Sequence, residues 1–140
     1  MTTPVSGHFT YADWQERPAS SDEPPTGPRL AHATVTDAFT GGITAPRTTC
    51  AYTIAYSTDS EGTFTGLHRL DGEVDGRKGA FVVEERGRFT GDGSIHGSFE
   101  VVPGTGTGEL TGLRGTGGYT AGRGQPSVPY TFAYDLEGRL

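Results

Sequence analysis

The stretch TFTGLHRLDGEVDGRKGAFVVEERGRF, residues 63–89, decides the fold, because two alternating strand patterns flank a turn signal within it. An Asp-Gly pair between such patterns is among the strongest local signals for a β-hairpin. The two-residue loop is either Gly76-Arg77, with the glycine where a type II′ turn needs it, or Asp75-Gly76. The first loop places His68 directly opposite Glu85, whereas the second moves the register by two residues and keeps both side chains on one face. Either way, the stretch predicts one long antiparallel hairpin with a histidine and a glutamate on the same side.

His68 and Glu85 fall on the apolar face of this hairpin. Their neighbours on that face are Phe64, Leu70, Phe81 and Val83, and the other face carries Arg69, Glu84 and Arg86. A carboxylate beside an imidazole fixes its tautomer and tunes its pKa, so the pair is a candidate general acid or base. The alternative is a cross-strand pair that stabilises the hairpin by about 0.2–1 kcal/mol.

The composition is typical of an all-β protein with many hairpins. Glycine accounts for 23 of 140 residues, proline for 9, and only 32 % of the residues are hydrophobic. The glycines recur at turn spacing between short runs rich in Thr, Val, Phe and Tyr, and no segment of useful length has a helical period. We expect one domain over residues 1–140, long enough for a real core.

Charge and cysteine content exclude several classes of partner. The net charge is −6 without a basic cluster, which argues against binding to nucleic acid or to an anionic membrane surface. No apolar run is long enough to span a bilayer, and we expect no signal peptide. The single cysteine, Cys50, excludes an internal disulfide and suits the cytoplasm.

Further strand patterns surround the hairpin and predict an antiparallel meander, most simply a closed barrel that removes its edges. The sequence predicts strands or hairpins at His8–Trp14, Leu30–Gly41, Arg88–Pro103 (turning at Gly91-Asp92-Gly93), Tyr119–Ala121 and Val128–Leu136. Residues 42–57 hold either two strands or one long strand with Pro46 at a bulge or edge.

Two segments between the strands stand out. Residues 17–29 are rich in proline, serine and acidic residues, which predicts a flexible loop at the barrel mouth. Residues 104–118 are glycine-rich and irregular, with one helical turn expected at Glu109–Arg114. This segment lacks the Lys-Ser/Thr of a phosphate-binding loop, so we interpret it as a structural closing segment.

Three motifs, HFTYADWQERP, DGRKGAF and VVPGTGTGELTGLRGTGGYTA, resemble a family of small bacterial proteins of unknown function that is similar in fold to plant allene oxide cyclases. The resemblance runs from about Gly7 to Leu136. It implies an eight-stranded barrel with a mostly apolar cavity, in a homo-oligomer. Plant cyclases carry a carboxylate and an amide two residues apart on strand one and a cysteine near the start of an apolar strand. Asp13, Gln15 and Cys50 are the matching positions here.

Several other side chains are candidates for the site. Asp13 and Glu16 flank Trp14, but the parity of the first strand is ambiguous: Phe9, Tyr11 and Asp13 share one face, and Thr10, Ala12, Trp14 and Glu16 the other. A bulge would bring both Asp13 and Trp14 near the cavity. Either acid is then a catalytic carboxylate at the mouth or part of a solvated strand end.

Aromatic residues on inward-facing positions are candidates for substrate binding, although any single one also fits an ordinary core role. Besides Trp14, they are Tyr52, Tyr56, Phe64, Phe81, Phe99, Tyr130 and Tyr134. Cys50 shares the parity of Tyr52, Ile54 and Tyr56 and is interpreted mainly as a small buried hydrophobe. The four histidines, His8, His32, His68 and His96, have no metal-ligand spacing, so we expect no metal and no cofactor.

Two functions fit these features. The first is a cofactor-independent cyclase or isomerase acting on a small, largely apolar metabolite, as in natural-product biosynthesis. There a barrel folds a reactive substrate and shields it from water. The alternative is a non-catalytic barrel that binds such a molecule. An enzyme needs a titratable group inside the cavity, whereas a carrier needs only shape and apolar lining.

Overall fold

The computed structural model describes residues 2–122 and 124–136, which form eight antiparallel strands. Each strand pairs with the next along the chain, and β8 pairs with β1 to close the barrel. The strands are β1 (Thr3–Pro18), β2 (Arg29–Gly41), β3 (Ile43–Tyr56), β4 (Gly62–Val74), β5 (Arg77–Phe89), β6 (Ile95–Val101), β7 (Arg114–Ala121) and β8 (Val128–Asp135). The predicted all-β antiparallel barrel of eight strands is confirmed.

Alternation of buried and exposed residues follows from the period of two along a strand. On β2 the inward positions all hold buried residues: Ala31, Ala33, Val35, Asp37 and Phe39. On β3 the predicted inward parity is confirmed, since Cys50 and Ile54 are buried and Tyr52 is half-buried, whereas the residues that alternate with them are exposed. No helix formed by the described residues is long and apolar enough to cross a membrane.

The central hairpin turns at Asp75-Gly76. Both residues have positive φ, 51° and 85°, as a type I′ turn requires, and Val74 pairs with Arg77. The alternative loop at Gly76-Arg77 is therefore wrong, and so is direct opposition of the candidate pair. His68 lies opposite Val83, and Glu85 opposite Gly66. Both side chains nonetheless point into the barrel, because the register moved by two residues.

Several strand boundaries differ from the predicted ones. β1 is longer at both ends, because its first half pairs with β8 and its second half with β2. As a result, the loop predicted over residues 17–29 contains only residues 19–28. Residues 43–56 form one strand rather than two, with an irregular register between Thr44 and Thr49 that includes Pro46.

β7 begins at Arg114, five residues before the predicted start at Tyr119. The sequence predicts an irregular segment at these glycines, but in the structure they allow close packing inside the barrel. A Cβ at Gly117 would lie 2.2 Å from the ring of Phe99. Glycine in the interior of a strand often marks such a close approach.

The two ends of the barrel differ. Residues 19–28, 57–61, 90–94, 122 and 124–127 lie at one end of the barrel, which we call the mouth. At the closed end, residues 102–113 include a 3₁₀ helix, Gly108–Leu110, in place of the predicted helical turn at Glu109–Arg114. This closing segment bonds to β5 beyond its pairing with β6, through Thr107 N to Ala80 O (2.9 Å). Leu110 and Leu113 are buried in the main core.

Candidate functional site

A cavity of about 460 Å³ occupies the mouth half of the barrel. Its volume is in the range of small-molecule sites. Residues from the mouth connections border it, among them Ser60, Gly93 and Gly122. Aromatic rings dominate its wall: Phe9, Tyr11, Trp14, Tyr52, Tyr56, Phe64, Phe89 and Tyr119.

Four buried polar residues lie at or beneath the bottom of this cavity, and we call them the floor cluster: Asp37, Thr48, His68 and Glu85. They come from β2, β3, β4 and β5, one from each strand. Each stands at an inward position, where the neighbours along its strand are apolar. Burial of so many polar groups requires that they satisfy one another.

Thr48 connects His68 to the backbone of β2. Its hydroxyl lies 2.5 Å from His68 Nε2 and 3.2 Å from the backbone carbonyl of Asp37, within hydrogen-bond distance of both. His68 Nδ1 has no hydrogen-bond partner among the described residues and faces Glu85 Oε1 at 3.8 Å. A proton on either of these two atoms would join the imidazole to the carboxylate.

Glu85 is held by two tyrosines that also line the cavity. The hydroxyls of Tyr52, at 2.8 Å, and of Tyr119 both donate to Glu85 Oε2. Burial raises the pKa of both tyrosines well above its ordinary value, and the charge of Glu85 raises it further. Both hydroxyls therefore remain protonated and keep donating at neutral pH.

Asp37 is the acid of the floor cluster that borders the cavity directly. Burial raises the pKa of its carboxyl to about 7, although the charge of His68 lowers it and that of Glu85 raises it. Its Oδ2 lies 3.9 Å from His68 Nε2. A carboxyl of this kind can give and take a proton near neutral pH.

Sequence reasoning missed Asp37. The signal was the parity of β2, where Ala33, Val35 and Phe39 alternate with polar or small residues and place the acid on their side. No inward face is predicted for the strand at Leu30–Gly41, so Asp37 is not recognised from the sequence as an acid at a core position. The predicted His68–Glu85 pair, in contrast, lies inside the barrel and within contact, as expected.

A bulge in β1 resolves the ambiguous parity at the mouth. The register shifts between Ala12 and Gln15, and Asp13 has a φ of 58°. The shift brings Trp14 to the cavity wall, but it leaves Asp13 exposed and outside that wall. The expectation that the bulge brings Asp13 to the cavity is therefore wrong.

Glu16 lies at the rim of the mouth, bound to two lining aromatics. It accepts hydrogen bonds from Trp14 Nε1 at 3.2 Å and from the Tyr56 hydroxyl at 2.5 Å. Burial, followed by the hydrogen bond and charge of Glu16, raises the pKa of Tyr56 to about 12. Glu16 itself is exposed.

The candidate binding residues divide between the two halves. Tyr52, Tyr56 and Phe64 line the cavity with Trp14, whereas other candidates lie in the packed closed half, namely Phe81, Phe99, Tyr130 and Tyr134. Tyr130 has a structural contact there, because its hydroxyl donates to Thr40 O and accepts from Ile43 N, both at 2.8 Å. The lining residues Phe9, Tyr11, Phe89 and Tyr119 were not among the candidates.

Cys50 lies beside the floor cluster and is fully buried. Its sulfur and ligand atoms of His68 and Glu85 all lie within 4.8 Å of one another, a grouping of three residue types that bind metals. Burial raises the pKa of the thiol far above its usual range, so this sulfur keeps its proton. A metal ion would have to displace that proton in order to bind the sulfur.

A solved structure and a protein-family model both match this chain. A crystal structure of a protein with unknown function from the DUF3224 family of Shewanella oneidensis MR-1 superposes with a TM-score of 0.75 and 27 % sequence identity. The match covers 98 % of this chain and 99 % of that one. No curated protein matches the chain significantly. The model of the family "Protein of unknown function (DUF3224)" matches residues 5–134. The chain therefore belongs to the DUF3224 family.

Proposed function

We propose that this protein is a cofactor-independent isomerase or cyclase that acts on a small, largely apolar metabolite. One observation carries the proposal: a titratable carboxyl, Asp37, stands at the floor of an aromatic cavity with His68 and Glu85 beside it. A barrel that only bound an apolar molecule would not need three buried ionisable side chains, each costly to bury.

Asp37 is the catalytic residue of this proposal, since it is the one that reaches the cavity. Protonated Asp37 gives its proton to a carbon or oxygen of the substrate, and the resulting carboxylate accepts a proton from a neighbouring carbon. The reaction is balanced without a cofactor, because product and substrate are isomers. Protonated His68 would stabilise the carboxylate formed in between, and Glu85 would position His68.

The resemblance to allene oxide cyclases supports a cyclase or isomerase, although a shared fold alone does not determine a reaction. Of the four acids and bases first considered, His68 and Glu85 become positioning residues. Glu16 lies at the mouth, and Asp13 is exposed. A homo-oligomer and a cytoplasmic location remain predictions.

The second candidate is a non-catalytic barrel for the same class of molecule. The observation that favours it is the wall itself, which consists mainly of aromatic and aliphatic side chains. Under this reading the floor cluster recognises a polar group of the ligand and moves no proton.

Isomerisation of 3-cyclohexen-1-one to the conjugated 2-cyclohexen-1-one tests the proposal. This reaction moves one proton between two carbons, needs no other reactant and produces an absorbing enone. We expect measurable turnover, lowered by roughly 10²–10⁴-fold in Asp37→Asn. The exposed Asp71→Asn is the matched control and should keep full activity. If the wild type binds the ketone yet converts it no faster than Asp37→Asn does, the binding barrel is the better description.

A further inference from the structure

We infer that the cavity selects organic cations: an apolar molecule whose ammonium group lies at the mouth between Trp14, Tyr56 and Glu16, with its other end at Asp37. The inference names a ligand class for the cavity of the proposed function and rests on that cavity being the functional site. The inference follows from the charges around the cavity, from the aromatic rings in its wall and from Tyr52, whose side chain connects the two ends.

The ionisable groups at both ends of the cavity are mainly acidic. Asp37 and Glu85 lie at the floor, Glu16 lies at the rim, and His68 is the basic residue of the floor cluster. Among residues 2–122 and 124–136, none that lines the cavity is lysine or arginine. A carboxylate or phosphate would therefore enter a cavity with no described cation to receive it.

Among the described residues, Glu16 forms no ion pair with a cation. Both of its hydrogen-bond donors, Trp14 and Tyr56, are neutral side chains. Arg29 lies nearby, with its guanidinium 4.0 Å from the centre of the Tyr56 ring, but it is paired with Asp59 at 2.8 Å. The guanidinium of Arg29 shows that one face of the Tyr56 ring already contacts a cation of the protein itself.

The aromatic wall suits a positive charge in the same place. Trp14 and Tyr52 lie with ring centres 6.2 Å apart, and Tyr56 meets Phe89 edge to face at 5.4 Å. Aromatic faces attract an ammonium group, and the attraction is stronger where water is excluded. Several rings around one opening, together with a carboxylate, form the usual cage for a quaternary or protonated amine.

One side chain joins the mouth to the floor. The ring of Tyr52 contacts Trp14, while its hydroxyl donates to Glu85. A ligand held at the mouth by its ammonium group therefore extends along Tyr52 toward Asp37, where the proposed proton transfer takes place. Recognition and chemistry use opposite ends of one molecule.

Three probes of one shape test the inference. They are the cation benzyltrimethylammonium, its neutral isostere neopentylbenzene, and the anion 2,2-dimethyl-3-phenylpropanoate, each titrated by NMR or by Trp14 fluorescence. We expect the cation to bind at least about tenfold more tightly than the neutral isostere, and the anion to show no binding.

Variants locate the selectivity. Glu16→Gln should weaken the cation by about three- to tenfold and leave the neutral isostere nearly unchanged, whereas Trp14→Leu should weaken the cation by more than the neutral isostere. Both residues are exposed, so these variants should fold. Glu84→Gln, on the outer surface of β5, is the matched control and should bind all three probes as the wild type does.

Equal affinity for cation and neutral isostere, or binding of the anion, would overturn the inference. The ketone assay separates it from the proposed function, because 3-cyclohexen-1-one is neutral. If the protein converts the ketone but does not prefer the cation, the proposed function stands and the inferred ligand class is wrong. If the protein prefers the cation but does not convert the ketone, the inferred ligand class stands and the proposed catalytic function is wrong.

Discussion

Asp37 makes the stability of this protein depend on pH, because its pKa differs between the folded and unfolded chain. Burial raises the folded pKa to about 7, whereas an unfolded aspartate titrates near pH 3.9. Between these values the unfolded chain has lost the proton that the folded chain keeps. Stability therefore falls as pH rises from about 4 to about 7 and is level above that, by an amount on the order of 3–4 kcal/mol.

Asp37→Asn should remove this dependence. The amide keeps the shape of the protonated acid and does not titrate, so we expect the free energy of unfolding to rise by about 1.5 kcal/mol at pH 5 and by clearly more at pH 8. Urea denaturation at both pH values measures the difference, with the exposed Asp71→Asn as control. His68 and Glu85 face Asp37 and are unchanged in the variant. A gain of equal size at both pH values would contradict the raised pKa.

The sequence predicts part of the floor cluster and misses the rest for a physical reason. Alternation along one hairpin was enough to place His68 and Glu85 together, because both strands belong to the same local unit. Asp37 and Thr48 join them only through the pairing of β2 with β3 and of β3 with β4. Contacts between strands that are distant in sequence depend on the barrel register, which no local pattern determines.

At the scale of elements, glycine has two opposite meanings in this chain. At Gly76 it permits the positive φ of a turn, and the hairpin was predicted correctly from it. At Gly117 it leaves room for an aromatic ring, and the start of β7 was predicted five residues late. Composition cannot separate the two uses, because the difference lies in what packs over the residue.

The closing segment should contribute to the core as a strand does. Leu110 is fully buried in it, so Leu110→Ala should lower the free energy of unfolding by about 2–5 kcal/mol. Leu67 is 57 % exposed on the outer face of β4 and is the matched leucine. Leu67→Ala should change stability by less than about 0.5 kcal/mol. Equal losses in the two variants, measured by urea denaturation, would show that the segment is not part of the cooperative core.

For the whole molecule, we expect protection against hydrogen exchange to fall from the closed end toward the mouth. Amides near Leu70, Phe81 and Val101 lie in the main core and should open only with global unfolding. Residues 19–28 are fixed at their base, where Ala19 N donates to Leu30 O, but most of them are exposed. Exchange measured by mass spectrometry should be fastest there. Uniform protection of this loop without ligand would contradict the predicted flexibility.

Because the barrel is closed at one end, a ligand can enter and leave the cavity only through the mouth, and this affects selectivity. A molecule that goes in can present only its leading end to Asp37, and its trailing end stays level with Glu16 and Trp14. In the proposed isomerisation, the orientation in which the molecule enters would therefore decide which of its atoms reacts. Changes at the mouth connections would redirect the chemistry to another atom of the same molecule while the floor remained untouched.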